Sequence, residues 1–276
     1  MPEIIHGEPV RISQRIQRIT APNAGAMTGP GTNSYIIGKK ELALIDPGPC
    51  INSHIDAMLT ATHSKLKWIF VTHTHRDHSP AALPMAEATG AELIGNIIPN
   101  DGFQDETFQN ATAITNDETV CTEEFSIRAL LTPGHVSNHV CYLVEEDKIL
   151  VTGDHMMQGS TVVIVPPAGS MIDYIDSLNR MLNYDVEYVA PGHGDLIKEP
   201  DKEIAYLIAH RRKREKKVYE SLAAVGKASI EQLVPSVYDD VDSSLHKWAA
   251  LSLHAHLIKL EIEGSVTKEG STWVHI

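Results

Sequence analysis

The strongest chemical signal in the sequence is the run HTHRDH at residues 73–78, which directly follows an apolar, strand-like stretch. In extended backbone alternate side chains share one face, so His73, His75 and Asp77 should point the same way. His78 should then turn with the chain into the next helix. A single histidine is most often a packed or surface residue, whereas three imidazoles and a carboxylate within six residues are typical of a metal site.

Three further ligand-type residues follow other strand-like runs. His135 comes after Pro133-Gly134, Asp154 after Gly153, and His193 after Gly192. Each is a weak signal alone, because Asp or His after Gly is common in turns. The seven residues together supply five imidazoles and two carboxylates, enough for two cations that share a bridging group. Zinc is the preferred ion, with manganese and iron as alternatives because they also accept His and Asp ligands.

The first two thirds of the chain alternate between strand-like and helix-like segments, which favours an α/β layer architecture. Short apolar runs predict strands at residues 35–37, 42–45, 68–71, 140–144 and 149–151. An alternating pattern near residues 10–16 is typical of an edge strand. Helical spacing of apolar residues predicts helices at residues 51–61, 81–89 and 172–182. The Gly- and Pro-containing segment 28–33 is predicted to be a loop.

The composition changes near Glu199-Pro200, and a second domain is predicted there. Three helix-like segments and a Gly-centred hairpin follow, at residues 201–224, 229–237, 243–263 and 265–274. Three helices and a hairpin are the layout of a winged helix. We therefore predict a catalytic domain at residues 1–199 and a small winged-helix-like domain at residues 200–276.

The charge of the chain is concentrated in the predicted catalytic domain. The net charge is −13, and from Pro200 onward 11 basic residues balance 11 acidic ones, so residues 1–199 carry all of it. An acidic body repels a polyphosphate backbone, which disfavours nucleic acid as a partner. The basic run at residues 210–217 is interpreted as a solvated helix face, and a nucleic-acid contact is the alternative. The solvated face is preferred because acidic residues interleave with the basic ones.

Compartment and partners are predicted from composition alone. The sequence has no apolar stretch of membrane-spanning length and no apolar core near its start typical of a secretory signal, so we expect no membrane association. Cys50, Cys121 and Cys141 are odd in number and widely spaced, which predicts reduced, inert thiols and a cytoplasmic location. A homodimer is the expected oligomeric state.

The ordered set of H-x-H-x-D-H followed by single His, Asp and His residues resembles the metallo-β-lactamase superfamily over residues 35–193. The resemblance implies an αββα sandwich. It also implies that one ion is held by His73, His75 and His135, that the other is held by Asp77, His78 and His193, and that Asp154 bridges them. Asp46, at the end of a predicted strand, matches the carboxylate that supports the metal loop in this family.

The whole chain, and not only the segment with the candidate ligands, resembles the β-lactamase-like protein 2 group within that superfamily. The similarity lies in residues 27–35, in His210-Arg211 and in residues 257–264. Animal members of the group are associated with cleavage of single-stranded RNA, and fungal relatives with thioester hydrolysis on carrier proteins. Asp154 stands where the best-known β-lactamases have Cys, which argues against antibiotic hydrolysis.

The resemblance implies a binuclear metal-dependent hydrolase in which a metal-bridging hydroxide attacks the substrate. Asp77 and Asp154 are the predicted catalytic residues, which orient the hydroxide. The first hypothesis is hydrolysis of a thioester, ester or lactone in a small-molecule or carrier-bound acyl substrate. The alternative is a single-strand-specific endoribonuclease of the β-lactamase-like protein 2 type. A third hypothesis, a winged-helix regulator without activity, does not explain a complete ligand set.

Residues around the predicted site are less clearly assigned by the sequence. His139 is interpreted as structural, and His155 either as structural or as a substrate contact. Ser137, Tyr174 and Tyr184 are further candidates to face the substrate. The histidines of the last helix, at positions 246, 254 and 256, are interpreted as packing or surface residues because no carboxylate or Cys lies at ligand spacing.

Overall fold

The computed structural model describes residues 4–276. They form two compact units that interleave along the chain. The first contains the residues up to Thr132, Asn138–Ser160 and Tyr184–Pro200, and the second contains Pro133–Ser137, Thr161–Asn183 and Asp201–Ile276. The predicted domain boundary between residues 199 and 200 stays a prediction.

The first unit contains a six-stranded sheet whose strands follow one another in sequence order. Its strands are β1 (Val10–Arg11), β2 (Ile16–Thr20), β3 (Asn33–Gly38), β4 (Leu42–Ile45), β5 (Leu66–Phe70) and β6 (Glu92–Ile94). The pairs from β1 to β4 are antiparallel, and β4, β5 and β6 are parallel. Parallel neighbours need a crossover connection. Helices α1 (Asn52–Thr62) and α2 (Ala82–Thr89) provide it, close to where the sequence predicted them.

A second sheet of five strands completes the sandwich of the first unit. Its order is β11-β10-β9-β8-β7, with β7 (Thr119–Cys121), β8 (Ser126–Leu131), β9 (Val140–Val144), β10 (Ile149–Gly153) and β11 (Tyr188–Pro191). Only the pair of β10 and β11 is parallel; the other neighbours are antiparallel. A short 3-10 turn, Glu145–Asp147, joins β9 to β10.

Alternation along the strands of the first sheet separates two apolar cores. Tyr35 and Ile37 of β3 belong to a cluster shared with residues of the second sheet, including Tyr142 and Val151. Ile36, between them in sequence, belongs to the cluster formed with α1 and α2. Successive side chains of a strand point to opposite faces, so this sheet is buried on both sides. The prediction of an α/β sandwich is confirmed.

The second unit contains the predicted winged helix and one further helix, which lies between β10 and β11 in the sequence. Its elements are α3 (Met171–Met181), α4 (Pro200–Val225), α5 (Ile230–Val237), α6 (His246–Ile262) and the strands β12 (Lys227–Ala228), β13 (Val266–Glu269) and β14 (Thr272–His275). The hairpin of β13 and β14 is extended by β12 on the β14 side. The apolar core of this unit centres on Trp273, Leu253 and Leu233. Three helices and a hairpin confirm the predicted winged helix.

None of the helices in residues 4–276 combines the length and apolar character that a membrane crossing requires. The three cysteines are free, with Cys50 and Cys121 exposed and Cys141 buried. Burial raises the pKa of the Cys141 thiol to about 12, so it stays protonated and unreactive near neutral pH.

Candidate metal centre

The ligand-type residues of the first unit lie where its strands end. The HTHRDH run follows β5, Asp154 follows β10, and His193 follows β11. In each of the parallel pairs β4–β5 and β10–β11, both carboxyl ends reach the same edge of the sheet. Loops at this edge therefore bring together residues that are distant in sequence.

Two overlapping groups of side chains in the first unit have the spacing of a metal site. Asp77, His78 and His193 form one group, and His73, His78 and Asp154 form the other, each with ligand atoms within 4.8 Å of one another. The Nε2 atom of His193 lies 3.2 Å from Asp77 and 3.3 Å from Asp154. The Nε2 atom of His78 lies 3.3 Å from Asp154. Two imidazoles and two carboxylates thus converge on one small volume.

Two buried nitrogens in this volume fit a bound cation. Nε2 of His78 and Nε2 of His193 are buried, and their carboxylate neighbours among the described residues, 3.2–3.5 Å away, do not form hydrogen bonds of regular geometry with them. A buried polar atom without a partner costs free energy, so such atoms need an explanation. Both nitrogens face carboxylates, and this donor set suits borderline divalent ions. The residues therefore fit the metal that the sequence predicts.

Asp46 orients the ligand loop as predicted. Its Oδ1 accepts the backbone N–H of Thr72 at 2.7 Å, and its Oδ2 accepts the Thr72 hydroxyl at 2.7 Å. Oδ2 also lies 2.8 Å from Nδ1 of His78, so Nδ1 donates and Nε2 is left as the ligand atom. Asp46 has a φ of 51°, a left-handed conformation that Asp and Asn tolerate better than most residues.

The loop that carries His193 is held by residues that the sequence did not identify as part of the site. The Asn33 side chain donates to the carbonyl of Pro191 at 3.0 Å, and the Tyr35 hydroxyl donates to the same oxygen at 2.7 Å. Nδ1 of His193 lies 3.2 Å from the carbonyl of Gly31. This contact orients the ring and leaves Nε2 for the ligands. From composition, residues 28–33 were predicted only to be a loop, and the similarity of residues 27–35 to the β-lactamase-like protein 2 group gave no role at the site to Asn33 or Tyr35.

Close backbone approach explains the glycine before His193. A Cβ atom on Gly192 would lie 2.7 Å from Cε1 of His78 and 3.0 Å from Oδ1 of Asp154. Real Cβ atoms essentially never come within 3.0 Å of another group, so any side chain would displace His78. Gly153 has a φ of +46°, and a Cβ there would lie 2.4 Å from the Thr72 hydroxyl. Both glycines let neighbouring loops converge on the ligands.

The charges of the site stabilise one another. Burial by itself would lower the pKa of His78, but Asp77, Asp154 and Asp46 outweigh it and raise the pKa well above the usual value. Burial likewise opposes the charge on His193, and Asp154 together with Asp77 raises its pKa to about 9. Burial would raise the pKa of Asp154, yet His193 and His78 hold it well below its ordinary value. The carboxylates thus stay ionised, and their negative charge favours a bound cation.

Of the remaining predicted ligands, His73 and His75 lie beside these groups in the first unit. Nε2 of His73 is 3.0 Å from Nδ1 of His75, and the His73 ring is 4.3 Å from that of His78. His135 lies on the segment Pro133–Ser137 of the second unit, where its Nδ1 contacts the carbonyl of Val163 at 2.7 Å. This contact makes Nε2 the ring nitrogen of His135 that is suited to a metal. The ligand role of His135 stays a prediction.

His139 and His155 lie behind the ligands. The ring of His139 stacks on His73, with centroids 5.0 Å apart, and its Nδ1 lies 2.9 Å from the Thr132 hydroxyl. The ring of His155 is 5.7 Å from that of His139 and is fully buried. Full burial favours the structural interpretation of His155 over a substrate contact. Tyr184 donates to Asp117 at 2.9 Å.

The basic run on α4 is only partly solvated, which corrects the interpretation of the whole run as a solvated face. Arg211 is 3% exposed, and its guanidinium lies 5.0 Å from the ring centre of Tyr174. Arg214 is also buried, and it bonds Asp240 at 2.7 Å and lies over Tyr238. Neither arginine is available to a phosphate backbone, and Tyr174 is buried rather than facing a substrate.

The histidines of α6 behave as packing residues. His256 is fully buried, and its Nδ1 lies 3.4 Å from Glu215. The ring of His254 lies 6.0 Å from that of Trp273, and His246 contacts the carbonyl of Val241 at 3.2 Å.

Comparisons with known proteins agree with the geometry. Residues 27–193 match the metallo-beta-lactamase superfamily, and residues 229–273 match the beta-lactamase associated winged helix domain. The chain is 28% identical to the beta-lactamase-like protein 2 homolog of Drosophila melanogaster, over 93% of this chain and 91% of the relative. It is 32% identical to the thioesterase pkgB of Emericella nidulans, over 81% of this chain and 62% of that protein.

A solved structure supports the same fold over nearly the whole chain. The crystal structure of a metallo-beta-lactamase family protein from Thermus thermophilus superposes with a TM-score of 0.80 at 20% identity. It covers 96% of this chain and 100% of the Thermus chain. The chain therefore belongs to the metallo-beta-lactamase superfamily and carries a beta-lactamase-associated winged helix domain in its carboxyl-terminal part.

Proposed function

We propose that this member of a superfamily of hydrolases uses two divalent metal ions to hydrolyse a thioester, ester or lactone. The substrate is a small molecule or an acyl group on a carrier. The convergence of Asp77, His78, Asp154 and His193 at the strand ends carries the proposal. The name of the fungal relative, a thioesterase, supports the thioester within this class.

The proposed ligand assignment is the one that the family resemblance implies, and the grouping of Asp77, His78 and His193 in the first unit supports it. Asp77, His78 and His193 would hold one ion, and Asp154 would contact both. His73 and His75, with His135 as predicted, would hold the other. When bound, two such ions supply a water of lowered pKa and polarise the carbonyl oxygen of the substrate. Zinc is the proposed ion.

The chain's own residues prepare the reaction in three ways. Asp46 fixes the ring of His78 through Nδ1, so that the Nε2 nitrogen points into the site. Asp154, buried and held ionised by His193 and His78, supplies fixed negative charge. Asp77 keeps 29% of its side chain exposed, so its carboxylate can orient the attacking water and take up its proton. These positions are set before substrate binds, which lowers the cost of reorganisation.

The endoribonuclease alternative has less support from the structure. Of the basic run, Arg211 and Arg214 are engaged inside the second unit, and Lys217 pairs with Asp239 and Asp240. A nucleic-acid groove needs several accessible cations, because each phosphate contact adds to affinity. The acidic charge of residues 1–199 opposes the same substrate.

Hydrolysis of a generic aryl thioester by the metal-loaded protein tests the proposal. We expect turnover that Asp77→Ala abolishes and that Asp56→Ala, an exposed change on α1, leaves intact. Salt-sensitive cleavage of unstructured RNA without any thioester turnover would favour the endoribonuclease. Metal binding without hydrolysis of either substrate would favour the regulator. The cytoplasmic location and the homodimer stay predictions.

A further inference from the structure

The loop after β6 is fastened to the metal-ligand loop. The backbone N–H of Asp105 donates to the carbonyl of Thr74 at 2.6 Å, and its carboxylate accepts the Ser79 hydroxyl at 2.7 Å. The Thr74 hydroxyl donates to the side chain of Gln104 at 2.6 Å. All four of these residues are buried. Because Thr74 lies between two predicted ligands, residues 104 and 105 are fixed relative to the site.

Phe103 is an exposed aromatic residue on this fastened loop. It is 41% exposed and belongs to none of the apolar clusters formed by the described residues. Its ring centre lies 6.4 Å from that of His75, in an edge-to-face orientation of 64°. A bridge between His75 and Gln104 brings the preceding residue to this position. Single exposed apolar residues are common on protein surfaces. Phe103 differs in its position, because it lies on a fixed loop beside a predicted metal ligand, where binding residues are often found.

Phe103 lies on the open side of the site. His75 and Asp77 are partly exposed, whereas the other predicted ligands of the first unit are buried: His73, His78, Asp154 and His193. A substrate must approach past the exposed ligands, because the buried ones are covered by protein. The ring of Phe103 is next to His75 and therefore borders this approach.

We propose that Phe103 is a specificity-determining residue whose ring contacts the apolar acyl part of the substrate. This inference rests on the proposed function and narrows it to thioesters with an aliphatic or aromatic acyl group. The phenyl ring is apolar and uncharged, so a contact with it removes apolar surface of the acyl chain from water and favours binding of longer chains. A nucleobase would also stack on this ring. The net negative charge of residues 1–199 disfavours a polyanionic nucleic acid and leaves the uncharged acyl group as the proposed partner.

A series of aryl thioesters from acetyl to hexanoyl tests the proposal through KM and kcat. In the wild-type protein KM should fall as the acyl chain lengthens. Phe103→Ala should raise KM for the hexanoyl substrate about tenfold and leave acetyl KM and both kcat values unchanged. Phe103→Leu should restore part of the chain-length dependence. Tyr188→Ala is a matched control, because Tyr188 is similarly exposed, at 39%. It lies at the amino end of β11, whereas the predicted ligand His193 follows the carboxyl end of that strand.

Binding of a non-hydrolysable hexyl thioether analogue, measured by calorimetry, gives a readout that does not require turnover. Weaker binding by Phe103→Ala, with normal binding by Tyr188→Ala, supports the contact. If the wild-type protein shows this binding pattern but hydrolyses no thioester, the proposed function fails and the contact stands. Equal effects of Phe103→Ala on acetyl and hexanoyl substrates would overturn the proposal. So would a Phe103-dependent cleavage of RNA in a protein that binds no thioether.

Discussion

Replacing Asp46 with Asn isolates the contribution of ligand orientation to metal binding. The variant keeps an oxygen for the backbone N–H of Thr72 and a residue type that tolerates the φ of 51°. It replaces Oδ2, which lies 2.8 Å from Nδ1 of His78 in the wild-type protein, with an NH₂ group. This group cannot accept a hydrogen bond from Nδ1. A hydrogen bond to a charged group contributes about 1.5–3 kcal/mol. This loss corresponds to roughly 10- to 100-fold weaker metal binding.

The assay is a zinc titration against a competing chelator, with thermal unfolding of the metal-free protein as a check on the fold. Asp56→Asn, on the exposed face of α1, should bind zinc like the wild-type protein. Asp46→Asn should bind more weakly while remaining folded. An unchanged zinc affinity in a folded Asp46→Asn protein would refute the argument that Asp46 orients a metal ligand.

Three further changes test other parts of the structure. Gly192→Ala should displace His78 and reduce zinc uptake, which metal analysis of the folded variant measures; full uptake would contradict the close approach. Burial lowers the pKa of His54 from 6.5 to about 4 in the folded protein. As the pH is lowered from 6.5 to 4, the unfolded chain therefore binds a proton at His54 that the folded protein does not bind, and the free energy of unfolding should fall. In urea unfolding, the decrease in the free energy of unfolding over this pH range should be smaller by about 3 kcal/mol in His54→Gln than in the wild-type protein. An unchanged pH dependence in the variant would contradict the lowered pKa of His54. Arg214→Ala should lower the free energy of unfolding by about 2–3 kcal/mol, because Arg214 is buried. Lys213→Ala, at an exposed neighbouring position, should change it by less than about 0.5 kcal/mol. Equal effects of the two substitutions would contradict the burial of Arg214.

The fold, and the grouping of several candidate ligands in the first unit, could be predicted from the sequence because both leave local patterns. A short apolar run such as Tyr35, Ile36 and Ile37 predicts a buried strand, and in the structure its side chains belong alternately to two cores. The HTHRDH run is local, so its ligands are recognisable without knowledge of contacts. The predicted strand at residues 68–71 occupies Leu66–Phe70 in the structure. The difference arises because hydrogen-bond pairing with β4 and β6, rather than apolar character, defines its ends.

Other features depend on contacts between distant parts of the chain. Asn33 acts on the backbone carbonyl of Pro191, and Gly192 leaves room for the side chains of His78 and Asp154. No residue pattern in the sequence predicts these contacts. The burial of Arg211 and Arg214 depends on aromatic and acidic partners elsewhere in the second unit. From the sequence their charges looked like a solvated face. Phe103 gave no signal, because its meaning comes from its position beside His75.

The most direct test of the central claim is the number of metal ions per chain in protein reconstituted with excess zinc and then dialysed. We expect two ions per chain in the wild-type protein and fewer in His193→Ala, measured by elemental mass spectrometry on folded samples. A wild-type protein that is folded and retains no transition metal would contradict the account.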